Sequence, residues 1–176
     1  MKMKKTCRSL VSIILLMGFV GSVNAQATAY ASTTALLVTP ISIAKSVDMH
    51  FGTIAASATL GTVELDYSDG RTATGGASLP AGSTTQKTAV FTVTGEGASG
   101  FSISIPSSSI TLTGSVSGTM TVDNFLCDAG AATTLSGGTK VLKVKAILNV
   151  PANTVAGTYS NSLANASALF VTVNYN

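Results

Sequence analysis

The sequence predicts an all-β protein built as a single antiparallel β-sandwich, and three observations carry that reading. Apolar and polar residues alternate with period two in short runs. Gly-, Ser-, Thr- and Asn-rich breaks separate the runs, and helical periodicity is missing throughout. Ser, Thr, Ala, Gly and Val dominate, charged residues make up 10%, and Trp is absent.

The chain opens on a basic stretch with Lys2, Lys4, Lys5 and Arg8, followed by the apolar run Leu10–Val20. Val23 and Ala25 then occupy the small-residue positions of a cleavage site, which predicts a leader over residues 1–25 cut between Ala25 and Gln26. The apolar run is too short for a bilayer span, and no later run is longer. Removing 25 of 176 residues leaves 151, enough for one domain with its own core. Four of the ten basic residues fall in the leader, so the mature chain has six against seven acids, a net charge of −1 rather than the overall +3. The basic balance is thus a leader property, and no nucleic-acid patch is expected. The expected export route is through the inner membrane to the periplasm, then the cell surface or medium, as in a Gram-negative bacterium. Cys127 is the one cysteine after the leader. No internal disulfide is available, and Cys127 reads as a buried small apolar side chain or as a bridge between two chains.

Residues 26–39, QATAYASTTALLVT, carry no charge and alternate loosely, with Ala35 and Leu37 on one side and Leu36 and Val38 on the other. A disordered tail is usually polar and charged. This segment reads either as an ordinary first strand or as an extended arm that completes a neighbour's sheet by strand addition. The β-domain follows over residues 40–176. Its expected inward sets are Ile41 and Ile43; Val63, Leu65 and Tyr67; Ala89, Phe91 and Val93; Phe101, Ile103 and Ile105; Ile110 and Leu112; Met120 and Val122; and Leu142, Val144, Ala146 and Leu148. Lys143 and Lys145 fall on the opposite face. The last run, Ala168–Asn176, sets Leu169, Val171, Val173 and Tyr175 on one face. A one-residue slip would turn each set to water, so register is firmly specified. Ser68–Gln86 is rich in small residues and reads as a long surface loop.

Signatures of catalysis or cofactor binding are weak. Gly95–Gly100 spells GxGxxG, but a strand-like run follows where a dinucleotide site needs a helix, so a hairpin loop is expected. Ser136–Lys140 lacks the adjacent Gly-Lys of a phosphate loop and reads as a turn. Asp66 and Asp69 lack the remaining ligand positions of a calcium loop and fit a turn with an Asp cap. His50 is the sole histidine and reads as structural. Asn165–Ser167 matches a glycosylation acceptor only formally. The reading is of a non-enzyme without cofactor or metal.

Several motifs occur in an ordered series: Pro40-Ile41-Ser42-Ile43, Phe51-Gly52-Thr53-Ile54, Gly61-Thr62-Val63, Gly95, Pro151-Ala152-Asn153 leading to Gly157-Thr158-Tyr159, and the final Val-x-Val-x-Tyr. In that order and spacing the chain resembles the bacterial domain-of-unknown-function family 4402, over about Pro40 to Tyr175. The resemblance implies an immunoglobulin-like sandwich akin to secreted pilin-like and spore-coat-U-like domains. It further implies an incomplete sandwich, completed by donor-strand exchange. The pilin disulfide has no counterpart, since Cys127 stands alone.

These expectations assemble into a structural subunit of a pilus-like or fimbrial fibre, with a role in adhesion or biofilm. Ala35, Leu36, Leu37 and Val38 would be the donor arm, and Leu169, Val171, Val173 and Tyr175 the groove wall. The expected partners are copies of the chain or related subunits, a periplasmic chaperone and an outer-membrane usher. Neither nucleic acid nor, after cleavage, a membrane span is expected. The alternative is a self-contained secreted sandwich that binds a glycan or surface ligand through long loops. The missing Trp weighs against a sugar platform.

Overall fold

The structure is a computed structural model and describes residues 26–164 and 168–176. The expected leader and the Asn165–Ser167 triplet lie outside the described residues. The chain divides into two units, Met1–Leu36 and Leu37–Asn176. Within the first, Gln26–Leu36 forms no strand.

The second unit is all-β and antiparallel. Its strands are β1 (Ser42–Val47), β2 (Ala55–Leu65), β3 (Arg71–Ser78), β4 (Ala89–Thr94), β5 (Gly100–Ser104), β6 (Ile110–Gly114), β7 (Thr119–Cys127), β8 (Ala132–Thr134), β9 (Thr139–Val150), β10 (Tyr159–Ser160) and β11 (Thr172–Tyr175). A 3-10 turn covers Asn161–Ala164. Eight strands form one sheet in the order β1-β4-β9-β7-β6-β10, with β2 joined to β9 and β3 to β2. A smaller sheet has the order β11-β5-β8. Both contribute to one apolar core: Val63, Val93, Leu142 and Val144 from the larger, Phe101, Ile103 and Val173 from the smaller. The alternation in the sequence translates directly into burial, with Leu142, Val144, Ala146 and Leu148 of β9 inside.

Strand β9 organises the larger sheet. One of its edges pairs with β7. The other serves two strands in succession: β4 along Thr139–Val144 and β2 along Ala146–Val150. The sheet therefore divides at Lys145 and curls into a half-barrel. Here the lysines expected on the outer face find their partners. Lys145 Nζ lies 2.8 Å from Glu64 Oε1 and 5.6 Å from the centre of the Tyr67 ring. Lys143 Nζ donates to the Tyr67 carbonyl at 2.9 Å. Tyr67 is not an inward strand residue as the alternation suggested. β2 ends at Leu65, and Tyr67 belongs to the turn that follows.

That turn holds the division in place. Asp66 Oδ1 accepts the backbone N–H groups of Ser68 (2.7 Å) and Gly70 (2.8 Å). Asp69, with φ 65, accepts from Thr88 N at 2.7 Å and from Lys87 Nζ at 2.8 Å. The buried Thr88 hydroxyl donates back to the Asp66 carbonyl at 2.6 Å. The turn closing β2–β3 is thus bonded to the start of β4, where the two branches meet. The two aspartates are spent on these bonds, as the turn reading expected.

Three expectations need correction. Ser68–Gln86 is not one long loop, because Arg71–Ser78 is β3, paired with β2 from Leu65↔Arg71 to Ala55↔Ser78. Its Thr, Ala and Gly residues hid the alternation. Gly61 of β2 packs so closely on Ala77 that a Cβ there would collide with the Ala77 backbone. The Gly95–Gly100 stretch is a turn, but it crosses from β4 to β5 in the other sheet rather than closing a hairpin. The final strand is shorter than the alternating run. Only Thr172–Tyr175 pairs, with β5, and Leu169 and Val171 precede it, half-buried. Two further features escaped the alternation. β8 and β10 are too short to register as runs. In β7 a bulge at Asn124 (φ 50) shifts the parity, so that Phe125 joins Met120 and Val122 inside.

The turn predicts an acid-sensitive staple. The hydrogen bond from Lys87, and after it the Thr88 N–H, hold the Asp69 carboxyl below its ordinary range. A carboxylate depressed in the folded chain adds stability above its unfolded value, about 3.9, and loses it as pH falls through the folded value. Asp69→Asn keeps a residue that tolerates the left-handed backbone. Urea midpoints measured from neutral pH to pH ~3 should be lower than wild type at neutrality and fall less steeply on acidification. An unchanged pH slope would remove Asp69 from that role.

Candidate functional site

The site is built from two features, an open edge and an open core. Among the described residues β1 pairs only with β4, and β11 only with β5, so there each leaves one row of backbone groups without a ladder. The two strands approach each other and have opposite senses: the upper end of β1 (Ser42) and the C-terminal end of β11 (Tyr175) lie together. The inner side of β1 is marked by Ile43, which pairs with buried Val93. Lys45 stands at the same parity, opposite Phe91, and binds Asp48 Oδ1 at 2.6 Å. Lys45 is exposed, and a charged side chain on an edge strand works against indiscriminate edge pairing.

Below this pair of edges the core is open. A cavity of about 1030 Å³ is lined by Phe91, Ile110, Met120, Phe125 and Leu148 of the larger sheet, among others. No residue of β5, β8 or β11 lines it. The smaller sheet covers only the upper half of the larger one. The lower half is bounded by Met49–Ala56, by Thr154–Asn161 and by Ala168–Leu169. Val47, at the lower end of β1, and Leu169, three residues ahead of β11, both lie on its wall, so cavity and open edges are continuous. Natural interiors have few voids larger than a water molecule. A space of this size is at the upper end of the range of ligand sites, about 300–1000 Å³.

The rim is held by backbone bonds rather than by chemistry of its own. Arg71 Nη1 donates to the carbonyls of Phe51 (2.6 Å) and Thr53 (2.9 Å). His50 Nδ1 accepts the Gly52 N–H at 2.8 Å, and its backbone forms an isolated bridge with Lys87. His50 thus orders the Asp48–Ile54 turn, as a structural histidine would. Tyr159 donates its hydroxyl to the Val155 carbonyl at 2.7 Å, which folds the opposite rim. Among the described residues no three His, Cys, Asp or Glu side chains cluster so as to hold a metal ion. Cys127 is half-buried, and burial pushes its thiol above the ordinary value. Among the described residues no helix is long and apolar enough to cross a membrane.

The candidate arm residues are exposed, Leu36 at 89% and Leu37 at 98%, with Val38 less so. The root of the arm is fixed. Tyr175 donates its hydroxyl to the Thr39 carbonyl at 2.7 Å and accepts the Glu96 N–H at 2.7 Å. The Glu96 carboxylate accepts the Thr39 N–H at 3.0 Å, a bond that holds its carboxyl below the ordinary range. Both backbone groups of Thr39 are therefore engaged at the upper end of β11. Of the proposed groove-wall residues, Val173 is buried in the core, Tyr175 clamps Thr39, and Leu169 borders the cavity. Thr39, Glu96, Met49 and Phe125 were not legible as site residues. Thr39 and Glu96 meet across 57 positions of sequence without a local motif, and Phe125 depends on the bulge.

Comparison with known families gives the class. Residues 41–175 match Domain of unknown function (DUF4402), and the chain belongs to that family. Comparisons with curated proteins and with solved structures returned no match.

The clamp predicts a measurable effect. Tyr175→Phe removes the hydroxyl while keeping the ring, and each lost bond should lower unfolding stability by about 0.5–1.5 kcal/mol. Amide exchange at Glu96 should accelerate locally. Unchanged protection there would show that the hydroxyl does not hold the arm root.

Proposed function

We propose that this protein is an exported structural subunit of a pilus-like surface fibre, assembled by strand complementation and serving adhesion or biofilm. The observation that carries the reading is the coexistence of an open apolar core beside two unpaired edges with an exposed apolar segment, Ala35–Val38, on the same chain. A strand of another copy laid between β1 and β11 would satisfy both edges with backbone hydrogen bonds, and its inward side chains would enter the core. Until then the apolar surface is a liability, which fits the involvement of a periplasmic chaperone and an outer-membrane usher. The other reading is a self-contained module for a glycan or surface ligand. It leaned on Ser68–Gln86 as a display loop, much of which is β3.

The test is removal of residues 26–38 with the leader retained. The truncated chain should be exported and bind a chaperone or remain monomeric, and the SDS-resistant ladder formed by the intact chain should be lost. Ladders formed equally by the truncated chain would overturn the arm's role. An intact chain that stays a stable monomer at high concentration would favour the module.

A further inference from the structure

One end of the domain holds apolar side chains out in water on a braced support. The β6–β7 turn and the loop after β9 are laced together. The Ser115 N–H donates to the Thr158 carbonyl at 2.8 Å, and the Thr158 N–H donates to Ser115 Oγ at 3.2 Å. The Tyr159 hydroxyl lies 2.7 Å from the Val155 carbonyl and 3.1 Å from that of Ser117. Two side chains stand out from this platform, Val116 at 72% exposure and Val155 at 46%. Beside it lies a depression. β9 ends at Val150, flanked by Gly61 of β2 and, one residue earlier, by Thr121 of β7. There a notch of about 360 Å³ opens, lined by Leu60, Thr119, Met120, Val150 and Pro151, among others. Leu60 on its rim is 74% exposed. Among the described residues no charged side chain lines the notch, and none belongs to the platform. Asp123, just beyond, is bonded to the Asn149 amide at 2.8 Å.

We infer that this end is a contact between two copies of the chain, Val116 of each entering the notch of the other. Three features favour a second copy as the occupant. Knob and notch are neighbours, since Thr119 lines the notch three residues after Val116. A two-fold axis between them brings each knob to the opposite notch, the reciprocal pairing that an isologous contact requires. Identical chains carry identical charges, and like charges brought face to face are costly. The charged residues of the chain fall outside Gly97–Val122 and Ala146–Asn176, which supply the platform and most of the notch, so this end lets two copies meet without that cost. The platform is also braced before contact, so little order is lost on docking. The contact uses neither β1, nor β11, nor the segment ahead of Pro40, and it is independent of strand complementation. Between two fibres, many such contacts in register would add by avidity and bundle the filaments.

Cross-linking between differently marked copies tests the contact. All chains carry Cys127→Ser, are expressed from the full sequence, and are mixed at high concentration under mild oxidation. One population carries Val116→Cys. The other carries Leu60→Cys, or Val141→Cys as a control of 49% exposure on β9. All three positions are exposed, so none of the substitutions removes core packing. Heated, non-reducing SDS gels read the covalent adduct, and unheated gels read the strand-assembled ladder. The expected result is a several-fold excess of the Val116–Leu60 adduct over the Val116–Val141 adduct. The excess should persist from ~0.01 M to ~1 M salt, because no charge pair is there to be screened. Equal yields of the two adducts would overturn the contact, and so would an excess that fades with salt. Ladders without the Val116–Leu60 adduct would overturn the contact and leave the fibre reading standing. The adduct without ladders would do the reverse.

Discussion

Strand β9 has two edges, and three strands are bonded to them. β7 takes one edge, while β4 and β2 share the other end to end. Hydrogen bonding in a sheet is directional and saturable, so two strands on one edge must occupy different lengths of it. The larger sheet therefore divides at Lys145. The Asp66–Gly70 turn, bonded to Thr88, keeps the two branches in position. The open cavity is a consequence of that division, because the three strands of the smaller sheet reach only the upper half.

A core left open in this manner is costly in water, and the rest of the molecule can be understood as its management. Arg71, His50 and Tyr159 tie down the rim through backbone carbonyls and amides, without placing an ionised group inside. Lys45 puts an exposed charge on the edge strand β1. The exposed leucines precede Thr39, whose backbone is held by Tyr175 and Glu96. On the proposed function, fixing that root would lower the entropy lost by a docking arm, the general benefit of preorganisation.

Most of the sheet was legible because a half-buried strand writes its register in period two. The inward sets of β4, β5 and β9 fall on buried residues, except for half-buried Ile105 just past β5, and β9 buries Val150 beyond its expected set. β3 was obscured because Thr, Ala and Gly give no hydropathy contrast, and its pairing depends on Gly61 lying against Ala77. Phe125 was missed because a bulge resets the parity, and only the left-handed Asn124 hinted at it. The terminal run was overextended because Leu169 and Val171 alternate like strand residues, although Leu169 serves the cavity wall.

The linear chain settled what depends on neighbours a few residues apart: an all-β class, most inward faces, the turns at Asp66–Gly70 and within Ser136–Lys140, and an uncharged apolar segment ahead of Pro40. It could not settle which strand takes which edge, since alternation records a face and is silent about a partner. The fork on β9, the half-covered core and the meeting of Thr39 with Glu96 and Tyr175 all arise from contacts between distant segments. Those contacts follow from the saturation of backbone hydrogen bonds and the filling of volume, which are properties of the assembled layers.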